Sequence, residues 1–373
     1  MRTKLAEELG LEVPIFAFTH CRDVAAEVSK AGGMGVLGVA GHSVQSLKTE
    51  LDWIENEIGN KPYGVDLLLP SKFVGSDQAG GLGGTQLDEH IPQEHRRFLD
   101  DLMLRYDVPP LPPGTQLRDE FSVGYDRQRE IIEYIFERRI GLIASALGPP
   151  PAWMIEQGRA HGVKVAALAG TVEHARRHVE AGVDIVVAQG TEAGGHTGDI
   201  STMVLVPEVV DAVAPLPVLA AGGIGTGRQI AASLALGAQG VWMGSVWLTT
   251  HEAETLPTVK EKFLKASSRD TVRSRSLTGK PARMLRSAWT DAWEDPANPA
   301  PLPMPLQPRL VRDAQARIAR SAHKSAGAAE LSNYFVGQIV GSLKQSKSVR
   351  SVMEDLVREY VEAMERLGSL VDG

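Results

Sequence analysis

One imidazole stands out by its setting. His196 lies in A-G-G-H, inside VDIVVAQGTEAGGHTG (183–198), where a nearly unbroken apolar run, 183–188, passes directly into a glycine-rich polar loop. Imidazole titrates near neutral pH. A histidine in such a loop can act as general base or acid, hydrogen-bond a ring or a substrate oxygen, or hold its own loop in place. Gly194, Gly195 and Gly198 beside it let backbone approach a flat ligand closely and take up unusual angles. Two more glycine turns, AGGIGTG (221–227) and Met243-Gly244-Ser245, follow later apolar runs. Backbone N–H groups in paired turns of this kind cradle phosphate, with Ser245 able to add a hydroxyl, although glycines equally serve a tight turn. Position 228 is Arg, so the first turn does not complete G-x-G-x-x-G and a Rossmann dinucleotide site is not supported.

Other chemistry-bearing residues carry weaker signals. His174 and His178 are four apart on a helical pattern without carboxylate support and read as a solvated face, not a metal site. With Cys21 as the one cysteine there is no disulfide framework, no cysteine-rich zinc site and no redox pair. A serine on a sharp G-x-S-x-G turn is absent. Trp242 and Trp247 read as packing residues, and Arg283 and Arg286 either face an anionic substrate or anchor the tail. The 46 acidic and 39 basic side chains leave a net charge of -7, which argues against nucleic acid as partner. The amino terminus lacks an apolar leader core, and no run approaches the ~18 apolar residues of a membrane span, so a cytoplasmic protein is expected.

The elements that position these residues follow from periodicity. Apolar runs at 13–18, 35–39, 62–69, 140–146, 163–168, 183–188, 217–221 and 240–243 read as buried parallel strands, each separated from the next by a helical pattern. Ser43 and Thr171 stand at helix starts, and Gly32-Gly33 closes the first interstrand helix. Eight strands in alternation with helices predict an α/β fold, a (β/α)₈ TIM barrel over 1–250. Its rhythm is broken once, after the third strand, by residues 71–122. That stretch is too long for an ordinary barrel connection and reads as an insertion or lid, helical near 95–106. Residues 251–373 read as a helical extension packing on the barrel: polar and basic at 267–286, extended and proline-rich at 296–308, then helices at 310–344 and 349–367.

The AGGH loop, AAGGIGTGRQ and GVWMGS, with VPIFAFTH, VSKAGGMGVLG, KPYGVDLLLP, GKPARMLRS and YFVGQIVG, resemble the FMN-dependent nitronate monooxygenases, formerly 2-nitropropane dioxygenases. The likeness covers most of the chain. It implies an oxidoreductase that binds FMN and oxidises alkyl nitronates with O2, with His196 as active-site base or hydrogen-bond donor. The same resemblance places Gln189, Gly194 and Gly195 at the flavin, and Gly222, Gly223, Gly244 and Ser245 at its phosphate. Related barrels implied by it are NAD(P)H:quinone and enoyl-thioester reductases or hydroxylases on bulkier substrates, and a non-catalytic flavin-binding scaffold is a further reading. Two positions depart from the family pattern. Phe18-Thr19-His20 stands where A-P-M is usual, adding His20 as a second titratable, candidate catalytic group. Asp66 stands where an Asn usually binds the flavin, and a carboxyl there suits ring or ribityl hydroxyls better than an anionic phosphate. The partners expected are a small-molecule substrate with O2 or NAD(P)H, no membrane, and a second copy of the chain as a possible homo-oligomer.

Overall fold

The apolar runs fold into short parallel strands whose helices wrap them on the outside. A computed structural model of the chain describes residues 1–70, 84–115, 117 and 125–370; the rest of the 71–122 insertion lies outside the described residues. The strands are β1 (Ile15–Thr19), β2 (Met34–Gly38), β3 (Tyr63–Leu68), β4 (Leu142–Ala146), β5 (Lys164–Ala169), β6 (Ile185–Gln189), β7 (Gly195–His196), β8 (Val218–Ala221), β9 (Gly240–Met243), β10 (Thr271–Ser274) and β11 (Ala282–Leu285). Strands β1 to β6, β8 and β9 close a parallel barrel, the (β/α)₈ TIM barrel expected from the sequence. Closure runs from β9 back to β1, pairing Ile15 with Val241 and Ala17 with Met243. The caps act where the sequence puts them: Ser43 accepts from the Ser46 N–H and Thr171 from the His174 N–H.

Alternation along each strand decides what faces the barrel interior. Phe16, Val36, Ala144, Ile185, Val187, Leu219 and Trp242 fill the inside, where Leu5 of the amino-terminal helix joins them. Ala17, Leu37, Val65, Leu67, Val186 and Ala188 face out against the helices. By the same parity Phe18, Gly38, Asp66 and Gln189 point inward near the carboxyl ends of their strands.

A second core lies apart from this one. Leu87, Leu99, Leu102 and Met103 of the insertion pack with Trp289, Trp293, Leu310 and Ile318 of the extension. Polar contacts tie the same two segments. The His95 Nε2–H donates to the Ala300 carbonyl at 2.9 Å, and Arg309 makes a two-point pair with Asp88 at 2.7 and 2.6 Å. The final helix, Val349–Gly368, instead joins the barrel sheath through Met353 and Leu356.

Several details differ from the sequence expectation. The polar stretch 267–286 contains β10 and β11, held by antiparallel backbone pairing and by burial of Ala282, Met284 and Leu285. The expected helix over 310–344 is broken into Leu306–Ser321, Ala326–Leu331 and a 3₁₀ turn, Gln338–Ser342. The helix after β6 begins earlier, at Thr202, with Pro207 inside it. His178 is buried, its Nε2 bonded to the Leu168 carbonyl at 3.0 Å, and so belongs to the packing rather than to a solvated face. Among the described residues no helix is long and apolar enough to cross a membrane.

Candidate active site at the carboxyl ends of the strands

All eight barrel strands end at one mouth, which gathers the residues singled out from sequence. His196 is not held by the barrel alone. As β7 it pairs antiparallel with β11 of the extension, His196 opposite Ala282 and Gly195 opposite Arg283. The buried Arg283 guanidinium donates to the Thr191 carbonyl at 2.8 Å and to Thr271 Oγ1 at 3.1 Å, stapling the histidine loop to this sheet. Arg286 is exposed and paired with Asp291 at 2.7 Å. Both arginines therefore anchor protein.

The His196 ring is fixed by Thr278, whose Oγ1 lies 2.9 Å from Nε2. The same oxygen is 3.2 Å from the Lys280 carbonyl oxygen and 3.3 Å from the Lys280 backbone nitrogen. A hydroxyl donates once and accepts twice. All three contacts are served when it donates to the Lys280 carbonyl and accepts from the Lys280 N–H and from His196 Nε2–H. That arrangement leaves Nδ1 of His196 with a lone pair and, among the described residues, no partner. Burial, and then the positive charge of Lys280, hold the His196 pKa down at about 4, so the ring is neutral at physiological pH. Phe335 lies beside it, ring centroids 6.3 Å apart.

His20, just past β1, stands over Gly38 of β2. Its Nδ1 is 3.1 Å from the Gly38 carbonyl, which can only accept, so this nitrogen carries the proton and Nε2 is the free acceptor. A side chain at 38 would collide with the ring, since an added Cβ would lie 2.6 Å from His20 Cε1. The ring is open to solvent yet ringed by protein. That desolvation lowers its pKa, opposed by the Gly38 bond and reinforced by His42. Phe18 meets it edge-on at 5.2 Å and stacks with Trp242 at 6.2 Å.

Asp66 is buried in the barrel interior, and its Oδ2 has no hydrogen-bond partner. Burial raises its pKa well above the ordinary value of 3.8. It is therefore held as a neutral carboxyl, with one O–H to donate and one oxygen to accept, much as an amide would be.

The two glycine turns meet the rest of the mouth through backbone. Gly222 and Gly223 have φ of 101° and 69°, the left-handed region. At Gly222 a Cβ would be 2.9 Å from Thr202 Oγ1 and 3.0 Å from the Gly190 carbonyl oxygen, so the turn is closed to side chains. Gln229 locks it, accepting from the Gly225 N–H at 2.9 Å and donating to the Gly223 carbonyl at 2.6 Å. Among the described residues the N–H groups of Gly222, Gly223, Gly244 and Ser245 find no protein acceptor. The following helix, Gly227–Ala235, is different: its Gly227 N–H is already taken by Glu359 at 2.9 Å. Glu192, near Gly223, turns its carboxylate onto the start of the helix Thr202–Val213, accepting from the Thr202 N–H at 2.9 Å. Orphaned N–H groups, an unpartnered buried carboxyl and inward-pointing Gln189 fit a flat polar cofactor carrying a phosphate.

Sequence reasoning missed the strap that crosses this mouth. Residues 334–338 bond to β11 through the Tyr334 carbonyl at 3.1 Å, to Ser245 Oγ through the Gly337 N–H at 2.8 Å, and to the Glu192 carbonyl through the Gln338 N–H at 2.9 Å. The hydroxyl of Ser245 is an acceptor there and keeps its own proton to donate. Gly194 is glycine because the strap backbone fills its side-chain space, an added Cβ being 2.8 Å from the Gly337 nitrogen. The one available signal was YFVGQIVG itself, an apolar run too short and irregular to assign.

A parallel barrel with a histidine, a neutral carboxyl and open backbone donors at its carboxyl end has the form of a cofactor-dependent barrel enzyme. The chain belongs to the nitronate monooxygenase family, whose profile matches residues 13–359, and is accordingly a flavin-dependent oxidoreductase. It is 59% identical, over the full length of both chains, to a Mycobacterium tuberculosis protein provisionally named a monooxygenase. The structure is similar to nitroalkane oxidase from Streptomyces ansochromogenes, with 27% identity, a TM-score of 0.78 and coverage of 97% of this chain and 99% of that one. FabK from Thermotoga maritima is also similar, at 27% identity and TM-score 0.73 over 99% of each chain.

Proposed function

We propose that the protein binds FMN in this mouth and oxidises small alkyl nitronates with O2. The observation that carries this reading is the neutral His196, held through Nε2 by Thr278 with its Nδ1 left free. FMN, when bound, supplies the electron-accepting ring that no side chain here can replace. The N–H groups of Gly222, Gly223, Gly244 and Ser245 would hold its phosphate, and Asp66, Gln189, Gly194 and Gly195 its ring and ribityl side. Asp66 offers them a donor without bringing a negative charge.

His196 does the proton work. From a neutral nitroalkane, Nδ1 takes the α-proton; with a nitronate already formed, the ring orients the substrate. Replacement by Asn keeps a polar side chain of similar reach and removes the base. His196→Asn should retain bound FMN by its absorption spectrum while turnover falls about 10²–10⁴-fold. Wild-type rates in that variant would overturn the role.

Likeness to FabK favours one further reading, a flavin reductase drawing on NAD(P)H for a quinone or enoyl thioester. Anaerobic mixing separates the two. Rapid bleaching of the flavin by NADH or NADPH supports the reductase, and bleaching by a nitronate alone supports the oxidase.

A further inference from the structure

Lys280 is a charged group that the flavin reading leaves unused. It lies in the turn between β10 and β11, its backbone held on both sides by the Thr278 hydroxyl that also holds His196. The other cations of this sheet are occupied. Arg273 is paired with Asp199, Arg275 donates to the Gly279 carbonyl at 2.9 Å, Arg283 to the Thr191 carbonyl, and Arg286 to Asp291. Lys280 is half-buried, and among the described residues its ammonium has neither a carboxylate nor any hydrogen-bond acceptor. Its charge nonetheless reaches His196, and its own pKa is lowered by burial with no anion to restore it. A partly desolvated cation without a counter-charge lowers stability, and such groups mark sites that complete themselves with a ligand.

We propose that Lys280 is the anion-binding residue of this site, taking the negatively charged oxygens of a small planar oxyanion substrate while Nδ1 of His196 faces the rest of it. An ammonium here favours a substrate that carries its charge on oxygen over a neutral quinone. The inference rests on the reading of this mouth as the active site. The glycine turns and Asp66 carry no positive charge, so they cannot substitute for it.

The test uses the purified holoprotein with two variants, Lys280→Met, which keeps the length of the stem, and Lys280→Arg, which keeps the charge. Two readouts are taken: steady-state kinetics with a primary alkyl nitronate, and calorimetric binding of sodium nitrate as a planar oxyanion probe. Lys280→Met should raise KM and weaken nitrate binding by about ten- to a hundredfold, the scale of a lost charge-assisted hydrogen bond. Its kcat should stay within about threefold and its flavin content should not change. Lys280→Arg should restore most of both. Unchanged KM and unchanged nitrate affinity in Lys280→Met would overturn the proposal. If wild type does not turn over nitronates yet binds nitrate through Lys280, the reaction is misassigned and the anion site stands. If wild type turns them over and the Met variant matches it, the anion site fails and the reaction stands.

Discussion

His20 and His196 both stand at one mouth, and they are built in opposite ways. His20 leaves the end of β1 and is held by the neighbouring strand, through the Gly38 carbonyl and the edge of Phe18. Everything it needs lies within the first few barrel units. His196 is held by Thr278, beside Lys280 and Phe335, and by backbone pairing with β11, all from the extension. The barrel delivers the loop, and a separate part of the chain sets the ring's tautomer, charge and surroundings. A group whose chemistry is set from outside its own scaffold is poised by the whole fold, whereas His20 is positioned by the barrel's own strands.

That contrast can be broken at graded levels, His196→Asn being the most severe. Its pH behaviour sharpens the case. The folded pKa of about 4 lies below the ordinary histidine value of 6.5. Above 6.5 the group adds nothing to the pH dependence of stability. As pH falls from 6.5 towards 4 the unfolded chain takes up the proton first and the fold loses stability. Thermal melts of His196→Asn should show a shallower loss over that window; identical curves would mean the ring is not buried neutral.

Next in size is Thr278→Val, which keeps the shape and removes the hydroxyl. With neither tautomer favoured, kcat should drop about tenfold while KM holds, and Thr278→Ser should restore it. A wild-type kcat in the Val variant would show that His196 does not depend on the extension for its orientation.

Asp66→Asn probes the mouth without touching either histidine. Because the folded pKa of Asp66 is raised, stability is full below the ordinary value of 3.8 and is lost as pH climbs towards the raised one. The neutral amide escapes this. The flavin-free variant should melt above wild type at pH 8, by about 2–4 °C for each kcal/mol relieved, and match it near pH 4. A constant difference across pH would show that the carboxyl is not held neutral.

The smallest effect is expected at His20. Since its bond to Gly38 is made at an open rim, His20→Asn should change kcat/KM by less than about threefold. A loss comparable to that of His196→Asn would erase the distinction between the two rings.

Much of this was legible in the chain itself. A strand buried on both faces must be apolar throughout and short, so all eight barrel strands are visible as runs, and helix caps such as Ser43 and Thr171 act through residues three positions away. The glycine turns after β8 and β9 are readable for the same reason: a left-handed backbone at Gly222 and Gly223 is a local demand that leaves a local mark. Asp66 and Gln189 are named through the family resemblance, and the observed strands turn both into the barrel.

The surroundings of His196 left no such mark. Thr278 is 82 positions away, and a threonine in a polar stretch has no periodicity to betray it. β7 is a strand only through its pairing with the distant β11, and Gly194 is required by the strap backbone at Gly337 rather than by its own turn. Burial decided the rest. A carboxyl at position 66 and a lysine at position 280 are ordinary charged residues in sequence. Enclosure makes the first neutral and leaves the second without a counter-ion, because the energy of a charge depends on what surrounds it in space and not on its neighbours along the chain.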